Sequence, residues 1–209
     1  MRFVLATAVI TAAGAVSAQQ VDITGGQTSV LLDTALLSAA AGLDLSSVSD
    51  DVIAPGEIEG SVAFGINARD GSLPTTFEYD ASDFLGSFSG TIEHAGSVFF
   101  NDDSVEVGDF TIGFDAGRVG GDRSGFFVES TTGVAAILFD VGAPSLLDAQ
   151  ASGLIIEADL LVSAEFAGFL GDTALTGADV GDARVNAVPA PGAAASLLAA
   201  AGFGVRRRR

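Results

Sequence analysis

The chain has 209 residues and a formal net charge of −18, with no cysteine, no lysine and a single histidine. Without cysteine it has neither a disulfide framework nor thiol chemistry, and one histidine is too few for a zinc site. So strong an acidic balance also excludes nucleic acid as a partner, because the phosphate backbone would be repelled.

The N-terminus has the organisation of a secretory signal peptide. Met1-Arg2 forms a short positive region, residues 3–16 are mostly apolar, and Val16-Ser17-Ala18 is a small-residue cleavage motif. We therefore predict that residues 1–18 are recognised by export machinery and removed after Ala18. The alternative interpretation is a buried first helix.

The next segment, residues 19–187, is the predicted exported domain. It contains all 27 acidic residues, against four arginines, so its net charge is 4 − 27 = −23. Salt or divalent cations would relieve the self-repulsion of such a surface. At 169 residues, the segment is long enough to form one hydrophobic core without covalent cross-links.

Local patterns in this segment predict an all-β domain. A short helix is expected between Asp33 as N-cap and Gly42 as C-cap, followed by a polar loop over residues 46–51. Beyond residue 57 apolar and polar residues alternate, as over residues 88–93 and most clearly over residues 110–114. We predict an antiparallel β-sandwich or a barrel-like sheet, with the 15 phenylalanines filling its core and terminal helices formed by the signal and the tail.

The last 22 residues, 188–209, form a distinct tail. An uncharged run from residue 192 to residue 205 precedes an arginine cluster, which is typical of a stop-transfer segment. The run has 14 residues, fewer than the roughly 20 that span a bilayer, so we expect a temporary anchor. The alternative is an ordinary C-terminal helix with a basic end. The residues assigned to sorting are Val188, Pro189, Pro191, Gly192, Arg206, Arg207, Arg208 and Arg209.

This tail resembles the PEP-CTERM sorting signal of Gram-negative and related bacteria. The family has Val-Pro-Glu-Pro, a transmembrane stretch and an arginine cluster, and Ala190 stands here where the family has Glu. The resemblance implies export, transient anchoring in the inner membrane and processing by an exosortase-like enzyme. It further implies delivery to the cell surface or to a matrix of extracellular polysaccharide.

Motifs for catalysis are scarce. The chain has no Gly-x-Ser-x-Gly motif and no phosphate-binding loop. Calcium is the better chemical candidate, because two acidic turns place oxygen ligands together. The predicted ligands are Asp102, Asp103, Asp179 and Asp182. The alternative for these residues is a solvated acidic surface.

A second candidate site involves His94. The segment from Phe88 to Gly96 is similar to a Gly-rich strand of the haem-transport-associated HtaA domain, a family that binds haem through Tyr and His. The resemblance implies that Tyr79 and His94 are the possible ligands. We place His94 at a strand end or bulge after an outward-facing Glu93. A structural or solvent-facing histidine is the alternative.

These observations predict a non-enzymatic, exported protein with a structural or adhesive role at the cell surface. The alternatives are a module that binds a ligand or ion, such as haem or calcium, and a glycan hydrolase. A structural role predicts no discrete pocket, whereas a binding module predicts a concave site around His94 or an acidic turn. A hydrolase predicts two carboxylates that face each other across a cleft.

Overall fold

The structure is a computed structural model that describes residues 20–190. The predicted signal peptide with its cleavage site at Ala18 lies outside the described residues, as do Pro191, Gly192 and the arginines Arg206 to Arg209 of the predicted tail. None of the helices between residues 20 and 190 has the length and apolar character needed to cross a membrane.

The described region consists of short elements, most of them strands. The strands are β1 (Gln20–Leu32), β2 (Leu45–Val48), β3 (Val62–Gly65), β4 (Glu78–Asp80), β5 (Ile92–Glu93), β6 (Ser97–Phe100), β7 (Val105–Phe114), β8 (Arg123–Gly133), β9 (Ala136–Gly142), β10 (Leu146–Gln150), β11 (Gly153–Val162) and β12 (Asp179–Pro189). The helices are α1 (Thr34–Ala41), α2 (Phe84–Ser87) and α3 (Ala164–Phe169), with single 3-10 turns at Ala116–Arg118 and Thr173–Leu175.

The strands form one antiparallel sheet that curls into a half-barrel, which confirms the predicted fold class. Nine strands follow the order β2-β6-β7-β8-β9-β11-β12-β1-β3, while β10 pairs with β11, β4 with β1 and β5 with β7. Two isolated bridges connect opposite ends of this order: Ile53 pairs with Ala63, and Ile66 pairs with His94. Ile66 directly follows β3, and His94 directly follows β5, which pairs with β7. The second bridge therefore connects the β3 edge of the sheet to β5 and β7.

Local signals explain α1, whereas two predicted segments have a different structure. The Asp33 side chain accepts a hydrogen bond from the Leu36 N–H, and Gly42 ends the helix with φ +64°. The first residues of the loop predicted over residues 46–51 belong instead to β2, which pairs with β6. The strand predicted over residues 88–93 is reduced to β5, and α2 precedes it.

The buried apolar side chains form two hydrophobic clusters. The first core cluster includes Leu37, Phe64, Phe100, Phe110, Leu138, Phe139 and Phe166. The second core cluster includes Ile23, Phe77, Tyr79, Phe84, Ile92, Leu154 and Val185. Not every phenylalanine is in the core, since Phe114 is 40% exposed. Its ring contacts those of Phe88 and Phe126 at centroid distances of 4.9 and 5.2 Å.

Candidate functional site

His94 is buried where the β3 edge of the curled sheet meets β5 and β7. Its imidazole is 1% exposed. Nδ1 lies 3.0 Å from the carbonyl oxygen of Phe110 on β7, and Nε2 lies 2.7 Å from Oγ1 of Thr28 on β1. The backbone N–H of His94 also donates to the Phe110 carbonyl. The side chain therefore connects two strands that are not neighbours in the sheet.

The hydrogen bonds determine which nitrogen of His94 carries the proton. A carbonyl oxygen can only accept, so Nδ1–H donates to Phe110 and Nε2 accepts from the Thr28 hydroxyl. Burial lowers the pKa of His94 from 6.5 to about 4, although the bond to Phe110 acts in the opposite direction. The imidazole is consequently neutral at pH 7, with its Nε2 lone pair already bound.

The surroundings of His94 differ from the expectation in one respect. Glu93, predicted to face outward, is 7% exposed. Its carboxylate accepts a hydrogen bond from Thr111 Oγ1 at 2.5 Å, and its N–H donates to Thr75 Oγ1 at 3.1 Å. The outward position predicted for Glu93 is therefore wrong, whereas His94 does lie at a strand end, directly after β5. Residues on both faces of this short segment are covered.

Tyr79, the other predicted haem ligand, is also committed to internal contacts. It is 1% exposed, and its hydroxyl donates toward the carbonyl oxygens of Gln150 at 2.6 Å and Gly153 at 3.0 Å. Burial raises the pKa of Tyr79 to about 12, with a smaller contribution from Asp148. Tyr79 belongs to the second core cluster and shares no hydrogen-bond partner with His94 in the described chain.

An apolar cavity of about 90 Å³ lies beside His94, between the two core clusters. Its wall includes Phe110, Leu138, Val185, Thr28 and His94. A concave feature of this kind is the one expected of a binding module, and a purely structural role does not predict it. The volume is small, however, because pockets for drug-sized ligands measure roughly 300–1,000 Å³.

An ion-pair network is centred on the buried carboxylate of Asp140 on β9. Asp140, 2% exposed, accepts from Nε of Arg118 at 2.7 Å and lies 3.6 Å from Nη1 of Arg123. The Arg118 guanidinium also makes a two-pronged contact with Glu165 at 2.7 and 2.8 Å. This contact lowers the pKa of Glu165 to about 2. The network joins β9 and α3 to the turn after β7, and local sequence patterns do not predict it because its contacts span 22 and 47 positions.

The four predicted calcium ligands occupy two places in the fold. Asp102 and Asp103 lie in the β6–β7 turn, where Asp103 accepts a hydrogen bond from Ser47 at 2.7 Å and a polar depression opens against β2. Asp179 and Asp182 lie on β12, five positions from β6 in the strand order. Among residues 20–190, no group of three or more His, Cys, Asp or Glu side chains is arranged to hold a metal ion.

The acidic residues of β12 form a surface cluster. Asp182 is directly opposite Asp159 on β11, and both side chains are exposed. Partial burial together with Asp159 and Asp179 raises the pKa of Asp182. These carboxylates are exposed to solvent.

The first two residues of the predicted tail are part of the sheet. Val188 pairs with Gly25 and Pro189 with Ile23, so β12 continues through the predicted domain boundary at residue 187. The N–H of Ala190 donates to the Asp22 carbonyl at 2.7 Å. Within the described residues, the sheet thus extends to the position where the PEP-CTERM pattern has Glu.

No family model matches the chain, and no curated protein sequence matches it. Among solved structures, the C-terminal domain of HtaA from Corynebacterium glutamicum is similar, with a TM-score of 0.54. The two chains share a fold. The match covers 81% of this chain and 99% of that chain at 15% sequence identity. The similarity to HtaA proposed from the sequence is thus supported as a similarity of fold, and it assigns no role to individual residues.

Proposed function

We propose that the described region is an exported, non-catalytic surface domain with a structural or adhesive role. The main support for this proposal is that the two candidate ligand side chains, those of Tyr79 and His94, already use their polar atoms in internal hydrogen bonds. Both ring nitrogens of His94 and the hydroxyl of Tyr79 are hydrogen-bonded inside the protein. Both residues therefore contribute to folding, and the proposed structural or adhesive role rests on the outer surface.

The charge of that surface suggests how it would act. A net charge of −23 repels anionic lipid and nucleic acid, whereas it attracts divalent cations that can bridge it to other acidic polymers. Extracellular polysaccharide is a partner that such cation-mediated adhesion would suit. Electrostatic adhesion of this kind needs no internal pocket and no catalytic residue.

The termini support export as part of the proposal. The predicted signal peptide would direct the chain to export machinery, and the tail would hold it transiently in the inner membrane until an exosortase-like enzyme processes it. The domain would then reach the cell surface or the extracellular matrix. This part of the proposal depends on the sequence of the termini alone.

A module that binds haem is the second candidate, favoured by the shared fold with an HtaA domain and by the cavity beside His94. Haem binding to His94 would require two changes. Nε2 would have to exchange the Thr28 hydroxyl for iron, and the cavity of about 90 Å³ would have to widen several-fold. Both changes would break contacts that stabilise the curled sheet.

Haem titration of the mature domain distinguishes the two candidates. Variant His94→Ala removes the imidazole, and Thr28→Val frees its Nε2 lone pair while keeping the ring in place. We expect no saturable shift of the Soret band in the wild type or in either variant. A saturable shift in the wild type that disappears in His94→Ala would overturn the structural proposal. A stronger shift in Thr28→Val would support that conclusion, with Tyr79→Phe as the matched control for the second ligand.

A further inference from the structure

The cavity beside His94 has walls from several strands and helices of the curled sheet. Its lining side chains come from both core clusters, so it fills the gap between them. Protein interiors contain few voids larger than a water molecule. A cavity of about 90 Å³ is therefore a distinct feature of this core.

The cavity offers water no hydrogen-bonding partner. Thr28 and His94 are the polar side chains on its wall, and they bind each other and the Phe110 carbonyl. Every buried side-chain nitrogen and oxygen in residues 20–190 has a partner. A buried water needs about two to four polar partners, so this cavity is expected to be dry.

The wall also indicates where the cavity approaches the surface. Of the lining residues only Pro144 is exposed, and it lies in the turn between β9 and β10. The exposed side chains of Leu146 and Leu147 follow directly on β10. An apolar molecule approaching this turn would thus meet apolar surface before it reaches the interior.

We propose that this cavity is a binding site for small, uncharged, apolar molecules that enter beside Pro144. An empty apolar cavity leaves its wall atoms without contacts, and a guest of suitable size restores the missing dispersion attraction. A dry cavity of about 150 Å³ lined by Leu, Ile and Phe accepts benzene or xenon. The smaller volume here selects guests of the size of a dissolved gas, with xenon as the probe. The site is independent of the proposed surface role.

Xenon binding to the mature domain tests the proposal. Methyl signals of the lining residues Leu138 and Val185 should shift in a saturable manner under xenon pressure, while those of Val162, which is buried outside the lining, should not. The melting temperature should rise with xenon, because a ligand that binds only the folded state stabilises it.

Two matched pairs of variants locate the site. Ala158→Val adds volume to the cavity wall, whereas Ala187→Val makes the same change at a buried alanine on the next strand, outside the lining. We expect xenon affinity to fall about tenfold or more in Ala158→Val and to persist in Ala187→Val. If either alanine variant fails to fold, Val185→Ile and Val162→Ile provide the same comparison.

Three results would overturn the proposal. Xenon could leave the methyl signals of the lining unchanged. The affinity could fall equally in the lining variant and in its control. Water could be detected inside the cavity by magnetisation transfer to the lining methyl groups.

Discussion

Replacing His94 with alanine should destabilise the domain more than any surface substitution. The change removes two hydrogen bonds, worth about 0.5–1.5 kcal/mol each, and leaves the buried Thr28 hydroxyl unpaired at a cost of about 1–3 kcal/mol. The lost imidazole also enlarges the neighbouring cavity. We expect a decrease of about 3–5 kcal/mol in the free energy of unfolding, a large share of the 5–15 kcal/mol that is typical of domains.

Urea unfolding measures this decrease as a lower midpoint at unchanged slope. The variant Thr28→Val, which leaves Nε2 without a donor, should cost about 1–3 kcal/mol. The double variant should lose less than the sum of the two single variants, since both disrupt the same bond. Thr24→Val is the control on the same strand, because Thr24 makes no side-chain hydrogen bond within residues 20–190.

The pH dependence gives an independent check. The pKa of His94 is about 4 in the folded protein and 6.5 in the unfolded chain, so the unfolded chain binds the additional proton. The contribution of neutral His94 is fully present above pH 6.5 and is lost as the pH falls to 4, by roughly 3 kcal/mol. The difference between wild type and His94→Ala should shrink over this interval. A decrease below about 1 kcal/mol for His94→Ala, or an imidazole that titrates near pH 6.5 in the folded protein, would refute the reasoning.

Four further predictions concern charge and the tail. Arg118→Met should lower the free energy of unfolding by roughly 3 kcal/mol, because it leaves the buried carboxylate of Asp140 poorly paired. In wild type, Glu165 contributes stability that is fully present above pH 4.5 and is lost as the pH falls toward 2, and the variant should lack this contribution. Asp182→Asn should raise the free energy of unfolding by about 0.5 kcal/mol, since it removes like-charge repulsion across two strands. Truncation after Ala190 should release the exported domain in folded form, whereas deletion from Val188 should also weaken the pairing of β12 with β1. Raising NaCl should raise the melting temperature by screening the net charge of −23.

Each of these predictions has a contradicting result. An unchanged urea midpoint in Arg118→Met would show that the ion-pair network is not stabilising, and Arg123→Met, at the more exposed and longer contact, is its milder control. A less stable Asp182→Asn variant would contradict like-charge repulsion. Membrane retention of the chain truncated after Ala190 would contradict sorting by the tail. A melting temperature that does not rise with NaCl would contradict the screening prediction, and a response to calcium beyond that of sodium at matched ionic strength would indicate a specific cation site in addition to screening.

Some parts of the site were predictable from local sequence. A period of two places His94 on the same face as Ile92, which the alternation already assigns to the interior, so the burial of His94 could have been predicted. The burial of Glu93 could not have been predicted from the alternation, which places it on the outer face. Thr75, which covers Glu93, comes from a separate loop. The Thr28 partner lies 66 residues away, and nothing in its neighbourhood distinguishes it from other strand threonines.

The ends of elements were predicted where a side chain or glycine acts on its own neighbours. Asp33 and Gly42 bound α1 because capping is a contact over three or four residues. Helix α2 was missed although Asp83 accepts from the Gly86 N–H in the same way, because alternating apolar residues around it favoured a strand. β2 was missed because its four residues are all exposed and its pairing with β6 is not local.

The sequence by itself determined the all-β class and the acidic character of the domain, and it is the sole basis for the proposed sorting of the termini, because alternation, charge and apolar runs are properties of adjacent residues. Only the tertiary structure decided that the sheet closes through His94 and Ile66, that Arg118 neutralises Asp140, and that β12 continues through Pro189. These contacts join residues between 22 and 166 positions apart. Which distant groups meet depends on how strands pair and curl to bury their apolar faces, and a linear pattern does not contain that information.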